Sequence, residues 1–284
     1  MRIETLTTIE QFHECETLQG RVWGLTDTDV VPLHLLITIQ QNGGLLLGAF
    51  DGQGRMIGFV LGFLGARGGD VTRPKHCSHM MGVLDEWRGR GVGYRLKLAQ
   101  REHALSQGLD LVTWTYDPLE SLNAALNIGK LGAVCDTYVR DLYGPMTDEL
   151  NAGLATDRFQ VDWWIRSERV AGRVEGGRPR RGLDEILGAS DTILNPAARR
   201  ADGLLEPCGE TRLPGTRRVA VEVPAHARGI KDADLDLASR WRDQTRYLFE
   251  GCFAAGYAAT EFVSEVTSED RRSYYVLERQ VEGT

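Results

Sequence analysis

The sequence predicts an α/β (α+β) fold followed by a further α/β region, and three observations carry that reading. Apolar runs with period-two alternation are interspersed with runs of helical period. A glycine-rich turn, Arg88-Gly89-Arg90-Gly91-Val92-Gly93, stands between an apolar run at residues 79–84 and a helical pattern at residues 94–100. The composition, 42% hydrophobic and 26% charged over 284 residues, is that of a globular protein able to bury a sizeable core.

Taken in order, residues 2–7 alternate as a short strand. Thr8 is placed to cap a helix running to Val22, with Gln11 three residues on to complete a capping box. A second helix is predicted over residues 29–41, stopped by Asn42-Gly43-Gly44. Residues 45–50 and 56–63 are strands, and Asp51-Gly52-Gln53-Gly54 between them is a hairpin turn. Residues 76–84 form the next strand. It leads through the glycine turn into a helix ending near Ser106, in which Val92, Leu96, Ala99 and His103 make one stripe. Residues 109–116 are a buried strand broken by Asp117-Pro118, residues 122–131 a helix stopped by Gly132, and residues 135–143 and 157–165 two strands.

Over residues 166–181 arginine and glycine dominate and apolar residues are sparse. That pattern favours a solvated linker over an anion site. A boundary near Arg173 divides the chain into 1–170 and 171–284. Beyond it, residues 218–223, 232–255, 259–265 and 273–279 read as strand, helix, strand and strand. This repeats the order over residues 109–165 and suggests a partial structural repeat. The second copy carries no glycine-rich turn, so no second cofactor site is expected.

The formal charge of −7 argues against a general nucleic-acid binder. No apolar leader follows Met1 and no apolar stretch approaches a membrane span, so a cytoplasmic protein with no membrane partner is expected. The five cysteines are far apart and include no C-x-x-C, which excludes a disulfide framework or a zinc-finger pattern. His76 and His79, three apart on a strand, fall on opposite faces, and no metal site is expected.

The turn has a chemistry of its own. Strand, glycine-rich turn and helix together offer unpaired backbone N–H groups to a phosphate, the glycines allow close approach, and Arg88 and Arg90 add charge-assisted hydrogen bonds. No Lys-Ser/Thr pair follows the glycines, as a P-loop would require.

With these motifs in place, residues 1–165 resemble the GNAT (GCN5-related N-acetyltransferase) enzymes. The family's R/Q-x-x-G-x-G/A is Arg88-x-x-Gly91-x-Gly93 here; the valine that usually ends the strand before it is Val83; and the family's K-x-G-F is Lys130-Leu131-Gly132-Ala133. Val22-Trp23-Gly24, the run from Trp114 to Ser121, Trp163-Trp164 and Ala238-Ser239-Arg240-Trp241-Arg242 with Gly256-Tyr257 further resemble a longer bacterial branch of predicted GNAT proteins. The resemblance implies a central mixed, mostly antiparallel sheet flanked by helices. It also implies acetyl-CoA as co-substrate, its pyrophosphate on Gly89, Val92, Gly93, Tyr94 and their neighbours in the turn, and its pantetheine arm along Met81, Gly82 and Val83. Asn123 is placed to hydrogen-bond that arm, with an ordinary polar residue at a helix N-terminus as the alternative reading. The acyl carbonyl would accept a backbone N–H near Val83, an oxyanion hole for attack by an amine.

For the proton that the amine must lose, His79 is the first candidate base, four residues before Val83 and on the same face by strand alternation. The alternative for His79 is a packed, hydrogen-bonded ring. Tyr116, at the end of the neighbouring strand, is the second catalytic candidate. The tyrosine with which many family members protonate the leaving thiolate is replaced by Ile128, and the usual asparagine seven residues earlier is Ser121. The expected function is therefore N-acetyl transfer to a small-molecule amine. A catalytically weak acyl-CoA sensor is the alternative, and a homo-oligomer built on the C-terminal region is left open. Trp163, Trp164 and Trp241 are read as packing residues, with a substrate-pocket wall as the sharper alternative.

Overall fold

A computed structural model of the chain describes residues 1–24, 30–144, 153–176, 181–208, 215–266 and 270–280. Two compact units emerge. The first comprises Met1–Trp114 together with Trp164–Arg166; the second takes in the other described residues from Thr115 onward. The expected division at 170/171 differs from this. The supposed linker contains a helix, and Arg173 within it donates to the carbonyls of Ile128 and Gly129 and pairs with Glu261 at 2.6 Å.

In the first unit, β1 (Arg2–Thr5) precedes α1 (Ile9–Trp23). The predicted capping box is present: Gln11 N–H donates to Thr8 Oγ1 at 3.3 Å, and Gln11 Oε1 accepts from Thr8 N–H at 3.2 Å. Helix α2 spans Leu33–Gln41; its predicted start at Asp29 lies outside the described residues. Strands β2 (Leu45–Phe50) and β3 (Met56–Arg67) form the predicted hairpin. Strand β4 runs Asp70–Val83, longer than predicted, because β3 and β4 continue past the core as a hairpin turned by Gly68 and Gly69, at φ +56° and +81°. Helix α3 (Val92–Ser106) and β5 (Leu111–Tyr116) follow. The strand order is β1-β2-β3-β4-β5, antiparallel throughout except for the parallel β4–β5 pair. One face packs Leu6, Phe12, Leu18, Leu46, Phe59 and Leu61 under α1 and α2, and the other packs Leu45, Leu47, Ile57 and Val60 under Val92 and Leu96 of α3. The fold is thus mixed α/β with a mostly antiparallel sheet, as expected.

In the second unit, one α-helical turn, α4 (Ser121–Ala124), continues as a π-helical segment, Ala125–Lys130. Strands β6 (Val134–Val139) and β7 (Arg158–Trp164) follow, then α5 (Glu168–Val174), α6 (Leu183–Ile186) and β8 (Thr192–Ile193). A small ribbon of β9 (Ala197–Arg199) and β10 (Leu205–Pro207) precedes β11 (Arg218–Val223), α7 (Ala227–Ala233), α8 (Leu235–Ala254), β12 (Tyr257–Val266) and β13 (Arg271–Arg279). The strand order is β7-β6-β12-β13-β11-β8. The predicted single helix over residues 232–255 is divided at Asp234, whose carboxylate accepts from Leu237 N–H at 2.9 Å and so caps α8.

Strand β5 lies parallel to β4, and in the second unit β6 pairs antiparallel with β7. Strand β11 lies parallel to β8 and is followed by α8 and two strands that return as β11-β13-β12. Strand β8, the parallel partner of β11, is two residues long and no glycine-rich turn follows it.

Candidate functional site

The turn is built by three local devices. A single 3₁₀ turn, Asp85–Trp87, follows β4, and Arg88 N–H donates to Asp85 O at 3.1 Å. Gly89 and Gly91 then take φ of +74° and +80°, a region that costs any side chain strain. A Cβ at either would meet nothing within 4 Å, so glycine serves the backbone conformation and the surface above it is open. Gly91 is also the N-cap of α3. It offers no side chain to the helix start, no other side chain among the described residues caps it, and the first turn holds no acidic residue. Arg95 N–H reaches Gly91 O at 3.1 Å, which leaves the N–H groups of Val92, Gly93 and Tyr94 without an intrahelical acceptor. An anion here would meet three donors and the positive end of the helix dipole.

The two arginines differ. Arg88 Nε donates to Val83 O at 3.2 Å and its guanidinium pairs with Asp85 at 2.7 Å, so it ties the turn to the strand end. Arg90 is exposed and lies 5.3 Å from the Trp87 ring centroid. Among the described residues no carboxylate lies within ion-pairing distance of Arg90.

Met81, Gly82 and Val83 form the end of β4 beside this turn. On one side they pair with β3: Val60↔Met81, Phe59↔Gly82 and Gly58↔Val83. On the other side, pairing with β5 covers His76↔Val112 and Cys77↔Thr113 and no further among the described residues. The strands part there, leaving the β4 backbone from Ser78 to Val83 as an open edge that ends at the turn. Gly82 is glycine for a packing reason: a Cβ would lie 2.9 Å from Phe59 Cε1 and 3.1 Å from Trp23.

His79 requires a correction. Strand alternation puts it on the face of Val83, but the β3–β4 register slips between Leu61↔Met80 and Gly62↔Ser78, so His79 is the extra residue of a β-bulge. Ser78 lies on the α3 face below the bulge, and Met81 and Val83 lie on that same face above it. The His79 ring sits 5.9 Å from Phe63, on the opposite face. It is exposed, yet its surroundings desolvate the ring enough to hold its pKa below the ordinary histidine value.

Tyr116 and Asn123 belong to the second unit. Tyr116 is buried, its hydroxyl 3.0 Å from that of Tyr275, which donates to Pro118 O at 2.9 Å. Burial first, then nearby Cys135, pushes its phenol well above the ordinary value. Asn123 is exposed on α4, and Ile128, in the tyrosine's expected place, is fully buried. Trp163 is buried and donates to Leu131 O at 2.8 Å, and Trp241 donates to Leu205 O at 3.0 Å, as packing residues do; Trp164 is half exposed and lies 4.8 Å from Arg67.

Sequence reasoning missed a polar chain beneath the open edge. Lys97 of α3 is 2% exposed; its Nζ donates to Ser78 Oγ at 2.8 Å and to Gln100 Oε1 at 3.0 Å, and lies 3.6 Å from the centroid of the Trp114 ring. Among the described residues no carboxylate is within ion-pairing distance. Because Gln100 Oε1 accepts from Lys97, its Nε2 donates to His76 Nε2 at 3.1 Å, and the His76 proton is placed on Nδ1, which has no partner among the described residues. Burial holds the Lys97 pKa well below its ordinary value. Burial, then the charges of His103 and Lys97, bring His76 down to about 3. The signal in the sequence was only partial: Gln100 falls one turn after Leu96 at the edge of the apolar stripe, and Lys97, three residues before Gln100, falls further round the helix.

No family model and no curated protein matches the chain, whereas solved structures do. The ribosomal-protein-S18-alanine N-acetyltransferase of Escherichia coli is 15% identical, with a TM-score of 0.46 over 58% of this chain and 94% of that one. Aminoglycoside 6'-acetyltransferase type Ii is 15% identical, with a TM-score of 0.45 over 59% of this chain and 99% of that one. The GNAT family N-acetyltransferase YhbS of Escherichia coli, solved in complex with CoA, is 22% identical, with a TM-score of 0.34 over 41% of this chain and 63% of that one. Over about 58% of its length, then, the chain is similar in structure to GNAT N-acetyltransferases.

Proposed function

We propose that this chain is an acetyl-CoA-dependent N-acetyltransferase that acts on a small-molecule or amino-acid-like amine by direct attack in a ternary complex. The observation that carries the reading is the uncapped, acid-free start of α3 at Gly91, set at the end of the open β4 edge. A pyrophosphate takes the N–H groups of Gly89 to Tyr94 and the charge of Arg90 and Arg88. The pantetheine arm lies on the open edge as an added strand, its amides pairing with the backbone at Met81 to Val83.

The arm enters at Val83, beside the turn, and extends away from it toward lower residue numbers. The thioester therefore comes to the bulge at His79 rather than staying at Val83, and the oxyanion donor is a backbone N–H of that stretch. A neutral imidazole can accept a proton at pH 7, and the lowered pKa of His79 keeps it neutral there. Tyr116 and Asn123 are assigned no step.

A catalytically weak acyl-CoA sensor is the second reading, and the buried Ile128 favours it. Thiol release from acetyl-CoA across a panel of amines separates the two, since a sensor binds without release. For the shared reading, CoA is titrated calorimetrically into wild type, Arg90→Glu and Gly91→Glu, with circular dichroism as the check on folding. Both variants are expected to weaken binding at least about tenfold, the scale of one lost charge-assisted contact. Unchanged affinity in both overturns the site.

A further inference from the structure

We propose that Lys97 and Ser78 form a proton relay that protonates the thiolate leaving from a thioester bound along the open β4 edge. This inference rests on the acyl-CoA reading above and supplies the acid which that reading lacks.

Position is the first support. Ser78 is the first β4 residue beyond the last β4–β5 pair, Cys77↔Thr113, and Trp114 is the first β5 residue beyond it. Lys97 Nζ sits between them, 2.8 Å from the Ser78 hydroxyl and 3.6 Å from the Trp114 ring centroid, at the point where the two strands part. From Val83, where the arm enters, to Ser78 is five residues, or roughly 17 Å of extended strand. A pantetheine arm that starts at the turn ends its run toward this junction. Ser78 belongs to the strand that forms the open edge and Lys97 to the helix packed behind it, so the hydroxyl is the member of the pair nearer the edge.

Composition of the site is the second support. A lysine amine is buried with two hydrogen bonds and an aromatic face, and among the described residues no carboxylate lies within ion-pairing distance of it. Gln100 fixes it from behind, and His76 fixes Gln100. A salt-bridged lysine would be a poor acid. An ordinary lysine, with a pKa of about 10.4, also holds its proton more tightly than a thiol of about 8.5 and would not give it up. Burial moves Lys97 in the direction that makes the transfer favourable. The titratable groups nearest Lys97 are His76 on β4 and His103 on α3, and both are held below the ordinary histidine value, so neither replaces it as a donor at neutral pH.

The step balances as follows. The acceptor nitrogen forms its bond to the acyl carbon, and the C–S bond breaks with its electron pair passing to sulfur. The sulfur takes the Ser78 hydroxyl proton while Ser78 Oγ takes one from Lys97 Nζ, which ends neutral. The proton shed by the attacking nitrogen leaves to water, and water returns one to Lys97 after the thiol departs.

The test uses the full chain, acetyl-CoA and hydroxylamine, a nucleophile already neutral at pH 7 that needs no base. Ser78→Ala, Ser78→Thr, Lys97→Met and wild type are compared for CoA affinity by calorimetry and for thiol release from pH 6 to 10. CoA affinity is expected to stay within about threefold in all four, with release lowered about 100-fold in Ser78→Ala and Lys97→Met, the range of one general acid. Ser78→Thr is expected to restore most of the rate. The fall in rate at high pH, where Lys97 loses its proton, should vanish in Ser78→Ala, a change that packing alone would not produce. Should Lys97→Met fail to fold, Ser78→Ala and Ser78→Thr decide the matter alone. Release within threefold of wild type in Ser78→Ala, with the high-pH fall intact, overturns the relay and leaves the acyl-CoA reading standing. Absence of CoA binding to wild type overturns both.

Discussion

The Lys97 amine lies 3.6 Å from the centroid of the Trp114 ring, and both residues sit where β4 and β5 cease to pair. A buried cation with no carboxylate in reach among the described residues depends on such a face for part of its stability. Desolvated cation–π pairs are worth about 2 kcal/mol. A double-mutant cycle of Trp114→Leu and Lys97→Met, read by urea unfolding, is expected to return a coupling of about 1–2 kcal/mol. The coupling requires the charge. With the Lys97 pKa lowered by burial, the amine becomes neutral in the folded state at a lower pH than in the unfolded chain, so the coupling should shrink as pH rises. A coupling that is flat from pH 6 to 10 would mean that the contact is mere packing.

His76 sets an acid limit on stability. Its folded pKa is about 3, depressed by burial first and then by the charges of His103 and Lys97, while the unfolded side chain titrates near 6.5. Between those values the unfolded chain holds a proton that the folded chain does not. Stability therefore falls as pH drops from about 6.5 toward 3, by about 1.4 kcal/mol per pH unit at most. His76→Gln removes the titration and keeps a group able to bond Gln100. Urea unfolding at pH 7 and pH 5 should show wild type losing roughly 2 kcal/mol more than the variant. An equal loss in both would place the acid sensitivity elsewhere.

How far the sequence reached depended on whether a feature was local. Thr8 and Gln11, three apart before an apolar run, announced the capping box, and both of its hydrogen bonds formed. The turn at Gly89 and Gly91 was equally plain, because only glycine takes φ near +75° without strain. His79 shows where local reading stops. A bulge is one residue too many on one of two paired strands, and it becomes visible only when Leu61 and Gly62 are set against Met80 and Ser78. Lys97 failed for a different reason. Reading helices by their apolar stripe assigns lysine to water, and nothing in residues 92–106 says that Ser78 and Trp114 wait above it. The boundary near Arg173 was lost the same way, since its arginines cap carbonyls and pair with Glu261 instead of facing solvent.

Gly82 offers a check on the packing beneath the open edge. A methyl group there would approach Phe59 Cε1 to 2.9 Å and Trp23 to 3.1 Å, both in the core under α1. Overpacking of this kind costs about 1–3 kcal/mol. Gly82→Ala is expected to lose that much by urea unfolding while changing CoA affinity by less than threefold, because the clash lies on the face away from α3. A large loss of affinity with intact stability would show instead that the glycine serves close approach of the ligand.

Asp117 and Arg242 anchor the second unit. Arg242 Nη1 and Nη2 donate to the two oxygens of Asp117 at 2.9 and 2.5 Å, and the arginine side chain is 4% exposed. Arg158 approaches the same carboxylate at 3.9 Å, and Asp157 nearby is tied to Arg246 at 2.7 Å. Truncating one partner of a buried pair leaves the other charged and unpaired, which costs about 3–5 kcal/mol, whereas replacing both by apolar residues of similar size is often neutral. Asp117→Ala should therefore destabilise the chain by about that amount, and the double variant Asp117→Leu with Arg242→Met should recover most of the loss. The recovery will be incomplete, because Arg158 also loses its 3.9 Å approach to the Asp117 carboxylate. Thermal and urea unfolding of the two variants beside wild type read the difference directly. If the single variant loses less than about 1 kcal/mol, the pair behaves as an exposed ion pair rather than a buried one.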